Sequence, residues 1–219
     1  MCQMAPHPPT VGILAYGSLI DDPGDELMPI VSRVIRDILT PFPVEFARMS
    51  SSRGDAPTLV PHTGGAPVRA AVLVVAASAD EASDMLWRRE TRKTDTTLRY
   101  PGARPGQANA VQIERLADFA GIDELLYTAI GANVTPLTPK RLAELAVTSV
   151  AKAKCGLDGI SYLIAAKSNG IVTPLSSVYE EEILRMTGAD NLESALVLAR
   201  DRAASREKLK PDAQEESLL

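Results

Sequence analysis

The chain has 219 residues, 45% of them apolar and 23% charged, with a net charge of −5. That length and balance suit one well-buried domain with room for a helical appendage. The acidic balance argues against a general nucleic-acid binder, which carries a basic domain-wide footprint, and two cysteines with two histidines leave neither a disulfide framework nor a zinc site with ligand spacing, so no metal is expected.

The opening MCQMAPHPPT lacks the basic start and apolar core of a secretory signal, and no run approaches the eighteen or so apolar residues of a membrane span. Together with the cysteine usage this predicts a soluble protein of a reducing cytoplasm, with no membrane and no nucleic acid among its partners. Val11–Leu19 then reads VGILAYGSL. Val11, Ile13 and Leu14 suit a buried strand, and Gly17 lets the backbone turn sharply just past its end. Such a turn exposes consecutive N–H groups that hold a carboxylate without a cationic side chain, with the Ser18 hydroxyl as a further donor. Taken alone, the tetrapeptide Tyr16-Gly17-Ser18-Leu19 is equally the turn at the end of any strand.

Farther along, Asp21–Gly24 reads as a loop, and Ile30, Val34, Ile35 and Ile38 have helical spacing, which predicts a helix over Ile30–Leu39 stopped by Pro41 and Pro43. Strands are expected at Val44–Met49, Thr58–Val60 and Val68–Ala76, with Pro61–Gly65 as a hairpin turn. Asp80–Arg92 reads as a helix, Tyr100–Gly106 as a flexible loop, and Ala110–Leu116 and Leu125–Ile130 as further strands. Short strands without regular strand–helix alternation imply a mostly antiparallel sheet or small barrel. From Thr135 the chain turns helical. Thr138-Pro139 starts one helix, Asp158–Ser168 and Ser176–Thr187 end at glycines, and Asp190 with Glu193 reads as the capping box of a last one. The polar stretch from 210 to 219 is expected to be a mobile tail.

Glu90 is the candidate proton carrier. It sits in WRRETRK, where Arg88, Arg89, Arg92, Lys93, Arg99 and Arg104 outnumber Glu90 and Asp95 within an acidic protein, a contrast that points to an anionic partner. The other reading is a helix end whose arginines complement the dipole, with Glu90 as their solvated counter-ion. Arg48 and Arg53 flank a turn and are candidates for gripping a carboxylate, or solvent-facing cations. Ser18 lacks the G-x-S-x-G elbow of a hydrolase nucleophile, and His62 lies in a Gly-rich turn. Tyr127 is a candidate site wall, or core.

The order of Tyr16-Gly17-Ser18-Leu19, the Arg48–Gly54 run RMSSSRG and the Arg89-Glu90 pair resembles the gamma-glutamylcyclotransferase superfamily, in the broad sense that includes the plant avirulence-induced-gene proteins and the ChaC branch. The match is best over residues 11–130. The resemblance implies a small mixed, mostly antiparallel β-barrel over residues 1–134 with flanking helices, to which the residue pattern adds a C-terminal helical extension over 135–209 packed on the same domain, an α+β fold. It further implies that the amides of Tyr16, Gly17, Ser18 and Leu19 bind the glutamyl group. Glu90 then takes a proton from the substrate α-ammonium and returns one to the departing amine, with no cofactor. On this basis the expected function is release of 5-oxoproline from a small anionic gamma-glutamyl amide or peptide. The alternative is a non-catalytic small-ligand or protein-binding module on the same fold.

Overall fold

Val11–Ala15 form β1, and all five residues are buried. A strand buried along its whole length needs neighbours on both edges, and β1 is the centre of a five-stranded sheet whose order is β2 (Val31–Leu39), β5 (Arg69–Val75), β1, β7 (Ile122–Ala129) and β6 (Gln112–Phe119). The computed structural model that shows this describes residues 9–103, 106, 107 and 109–208, so Arg104 and the expected tail from 210 lie outside the described residues. Three pairs are antiparallel, β2 with β5, β5 with β1, and β6 with β7. One is parallel: Val11 to Ile13 of β1 lie beside Glu124 to Leu126 of β7. The fold is thus mixed α+β and mostly antiparallel, but among the described residues the sheet has β2 and β6 as its two edges and does not close into the expected barrel.

Alternation along the strands sorts the core onto two faces. Val11, Ile13, Leu73, Val75, Ile113 and Leu126 face one way and pack with Ala82 and Leu86 of α1 (Ala79–Thr91). Leu14, Val72, Val74, Ile122 and Leu125 face the other, joined by the rings of Tyr16, Phe42 and Tyr127. Helix α1 is started by a capping box, in which the Ser78 hydroxyl accepts from the Glu81 amide at 3.3 Å and the Glu81 carboxylate accepts from the Ser78 amide at 3.0 Å. It stops at Arg92, whose backbone is left-handed at φ 55°.

Residues 31–39 are strand β2 where the apolar spacing predicts a helix. The register against β5 slips twice, between Val31 and Arg33 and between Ile35 and Ile38, and Asp37 takes φ 59°. Each bulge inserts one residue and reverses which face the next side chain occupies, so a bulged strand spaces its inward residues by three and four, as a helix does. The two-stranded ribbon of β3 (Val44–Ser50) and β4 (Ala56–Pro61) forms a second sheet. Pro61–Gly65 is a turn closed by Gly65 N donating to His62 O at 2.9 Å, yet the strands on either side belong to different sheets, so it is not a hairpin loop.

The chain divides into two compact units. The first takes in residues up to Glu45, Leu59–Ala132 and Ala166–Pro174; the second Phe46–Thr58, Asn133–Ala165 and the chain from Leu175 on. Helices α2 (Pro139–Ser149), α4 (Ser176–Thr187) and α5 (Leu192–Lys208) lie in the second unit, while α3 (Gly159–Ser168) runs from the second into the first. The Thr138 hydroxyl caps α2 by accepting from Arg141 N at 3.3 Å, and Gly188 ends α4 at φ 71°. The cap of α5 is Asn191, whose side-chain oxygen accepts from Ser194 N at 2.8 Å, rather than the expected Asp190. Among the described residues no helix is long and apolar enough to cross a membrane.

Candidate active site

Beyond Ala15 the backbone turns at Gly17, whose φ of 84° and ψ of −141° lie in a region essentially closed to residues with a Cβ. Ser18–Ile20 then make one 3-10 turn, closed by Ile20 N donating to Gly17 O at 3.1 Å, with Asp22 N donating to Ser18 O at 3.0 Å. The amides of Ser18 and Leu19 donate to no backbone carbonyl among the described residues. They are the donors that a first helical turn leaves open. Leu19 points the opposite way, into the core against α1, and anchors the turn.

The last turn of α1 reaches this loop through Arg89. Its Nη1 donates to Glu90 Oε1 at 2.5 Å, and its Nη2 donates to the Asp22 carbonyl at 2.6 Å and stands 3.4 Å from Ser18 Oγ. Both contacts leave one planar guanidinium, so Glu90 Oε1 lies within about 8 Å of Ser18 Oγ. The stem of Arg89 is close under the loop, for a Cβ on Gly24 would stand 3.0 Å from Arg89 Cγ. The Glu90 side chain is 24% exposed and that of Arg89 17%, so the pair is sheltered rather than facing bulk water. The Glu90 carboxylate and the amides of Ser18 and Leu19 therefore share one end of one sheet, with Ser18 and Arg89 seventy-one residues apart in sequence.

Tyr16 and Tyr127 lie on the other face. The Tyr16 hydroxyl donates to the Thr128 carbonyl, its ring meets Phe42 edge-on at 5.6 Å, and Phe42 packs on Tyr127 at 4.5 Å. Burial, with the nearby Glu114 charge, pushes the Tyr127 phenol above its ordinary range. Arg48 and Arg53 belong to the second unit. There the Arg53 guanidinium stacks 4.9 Å from the Tyr162 ring centre, and burial holds Arg48 below its ordinary value. The residue that sequence reasoning left without a role is Arg89. Adjacent residues on a helix do not face each other, so local spacing gave no sign of its contact with Glu90.

No protein-family model matches this chain, and no curated protein matches it. It is similar to one solved structure, a selenomethionine-labelled gamma glutamyl cyclotransferase specific to glutathione from yeast, at 16% identity and a TM-score of 0.47, with 90% of this chain and 97% of that one covered. A likeness that distant settles neither activity nor substrate.

Clefts open among the described residues of the first unit. One of about 290 Å³ adjoins the turn at Ile20 and is walled by Arg36, Arg69, Lys167 and Gly170. Another of about 790 Å³ lies at the opposite end of β1, between Thr10, Val75, Ser78 and Arg115. Neither is lined by Ser18 or Glu90.

Proposed function

We propose that the chain is a gamma-glutamylcyclotransferase-like enzyme that releases 5-oxoproline from a small anionic gamma-glutamyl amide or peptide. The observation that supports this reading is the single guanidinium of Arg89 in contact with both Ser18 and Glu90. Open amides at Ser18 and Leu19 suit the substrate α-carboxylate, and the sheltered Glu90 carboxylate, joined to the same turn through Arg89, suits its α-ammonium. Closing a five-membered lactam is intramolecular, so holding one conformer supplies much of the acceleration. One carboxylate between two nitrogens serves first as base and then as acid. Arg48, Arg53 and Tyr127 enter as candidate substrate contacts, each to be replaced singly once a substrate is in hand.

The test is incubation of the purified protein with a panel of gamma-glutamyl compounds, beside Glu90→Gln. Production of 5-oxoproline by the unaltered protein alone is the expected result. A second reading draws on the same 2.5 Å contact, which equally makes Glu90 a plain salt-bridge partner in a non-catalytic binding module. Silence from both proteins across the panel selects that module.

A further inference from the structure

We infer that Arg89 is a positioning residue that exchanges one carboxylate for another when substrate binds. In the free protein it holds Glu90; in the complex it turns to the substrate α-carboxylate and leaves Glu90 open to the α-ammonium. This inference rests on the reading just given. Its grounds are the inequality of the contacts that Arg89 makes. The Glu90 and Asp22 contacts are short, at 2.5 and 2.6 Å, whereas the approach to Ser18 Oγ at 3.4 Å is too long to be a strong hydrogen bond. One N–H of Nη2, the one that the Asp22 carbonyl does not hold, therefore faces the turn weakly engaged.

A carboxylate received by the Ser18 and Leu19 amides lies next to Ser18 Oγ, within reach of that weakly engaged N–H of Nη2, whose other N–H stays on the Asp22 carbonyl. A guanidinium binds a carboxylate through two parallel N–H donors when both are offered, and Arg89 has its second nitrogen on Glu90. Taking the substrate bidentately thus draws Nη1 away from Oε1. A Glu90 oxygen that already accepts a charged N–H has less acceptor capacity for an ammonium, and its release restores that capacity.

The proton traffic then balances within the substrate. The α-ammonium gives one proton to Glu90, the amine nitrogen bonds to the γ-carbonyl carbon, and the original amide C–N bond breaks. Glu90 passes protons from the ring nitrogen to the departing nitrogen. The lactam and the free amine together contain every atom of the substrate, and no water is consumed.

The experiment compares steady-state kinetics of the unaltered protein, Arg89→Met and Arg89→Lys on a gamma-glutamyl compound that is turned over, and on its analogue with the α-carboxylate amidated. Arg89→Met is expected to lower kcat/KM about 100-fold, as does losing the position of a reacting group. Amidation is expected to cost the unaltered protein a comparable factor and Arg89→Met little further, because both changes delete one contact. Arg89→Lys keeps the charge without the fork and recovers part of the loss; it carries the comparison if Arg89→Met folds poorly. Full additivity of the two changes, with Glu90-dependent turnover intact, overturns this inference alone. Absence of 5-oxoproline from the unaltered protein overturns the underlying reading and this inference with it.

Discussion

Arg88 and Glu26 form a forked ion pair beneath the loop that follows the Tyr16–Leu19 turn, with Nε 3.0 Å from Oε1 and Nη2 2.6 Å from Oε2. The Arg88 side chain is only 4% exposed, and its Nη1 donates to the Leu98 carbonyl at 2.5 Å. The hydrogen bonds that Arg88 donates to Glu26 raise its guanidinium above its ordinary value despite its burial. Together with Arg99 on Asp84 at 2.7 Å and Arg89 on Glu90, this gives three arginines of the basic cluster carboxylate partners within their own unit. Much of the positive charge that pointed to an anionic ligand is spent on tying loops 22–26 and 98–100 to α1.

Arg88→Met removes that fork and leaves Glu26 and the Leu98 carbonyl without their donor. Breaking a fully buried pair costs about 3–5 kcal/mol, and the partial exposure of Glu26 lowers the expectation to about 2–3 kcal/mol. Urea denaturation measures it. A loss within about 0.5 kcal/mol, the range of an ordinary surface change, refutes the structural role.

Acid is expected to loosen the 98–100 segment through Asp84. Burial alone raises this carboxyl, but the Arg99 hydrogen bond, the Tyr100 amide and the charges of Arg99 and Arg88 outweigh it and hold it below its ordinary value. A carboxyl with a lowered folded-state pKa stabilises the fold at pH above its unfolded value of about 3.9, and that contribution disappears as the pH falls through the folded value. Asp84→Asn lacks the contribution at any pH. Its melting temperature should therefore lie below that of the unaltered protein at neutrality and converge on it in strong acid. A gap that stays constant across the titration contradicts this assignment.

The helices and the turn were legible where a local cause sets them. Thr138 before Pro139 and Gly188 after Thr187 each fix a helix end by hydrogen bonds or backbone freedom that involve only near neighbours. Strand β2 was not, because its bulges give an edge strand the spacing of a helix, and only its partner β5 reveals the register. The parallel pairing of β1 with β7 was equally hidden, since it joins segments more than a hundred residues apart and leaves no periodic trace. At the candidate site, Tyr16–Leu19 and Glu90 stand out by residue type. Arg89 was not, for its role lies in reaching Ser18 across the fold.

Gly17→Ala tests the turn itself. With φ 84° and ψ −141°, a Cβ costs about 1–3 kcal/mol of strain, relieved by moving the Ser18 and Leu19 amides. Gly121→Ala is the companion, because Gly121 also has positive φ, at 75°, with open space around its Cβ position, in the β6–β7 hairpin. Both variants should lose stability in thermal melts. Only Gly17→Ala should also lose 5-oxoproline release from the protein that remains folded, and equal losses of activity in the two would deny the turn a special role.

Tyr16→Phe separates the backbone of the turn from its first side chain. The phenol donates to the Thr128 carbonyl and its ring packs on Phe42, on the face of the sheet away from α1. Removing the hydroxyl leaves that carbonyl with one donor fewer, at a cost of about 1 kcal/mol. The amides proposed to receive the substrate carboxylate belong to Ser18 and Leu19 and are untouched. The variant should therefore melt a few degrees lower while kcat/KM stays within about twofold, since no interaction made in the transition state has been deleted. A tenfold fall in kcat/KM with an unchanged melting temperature would instead place the phenol against the substrate, and would move the glutamyl pocket to the Phe42 and Tyr127 face.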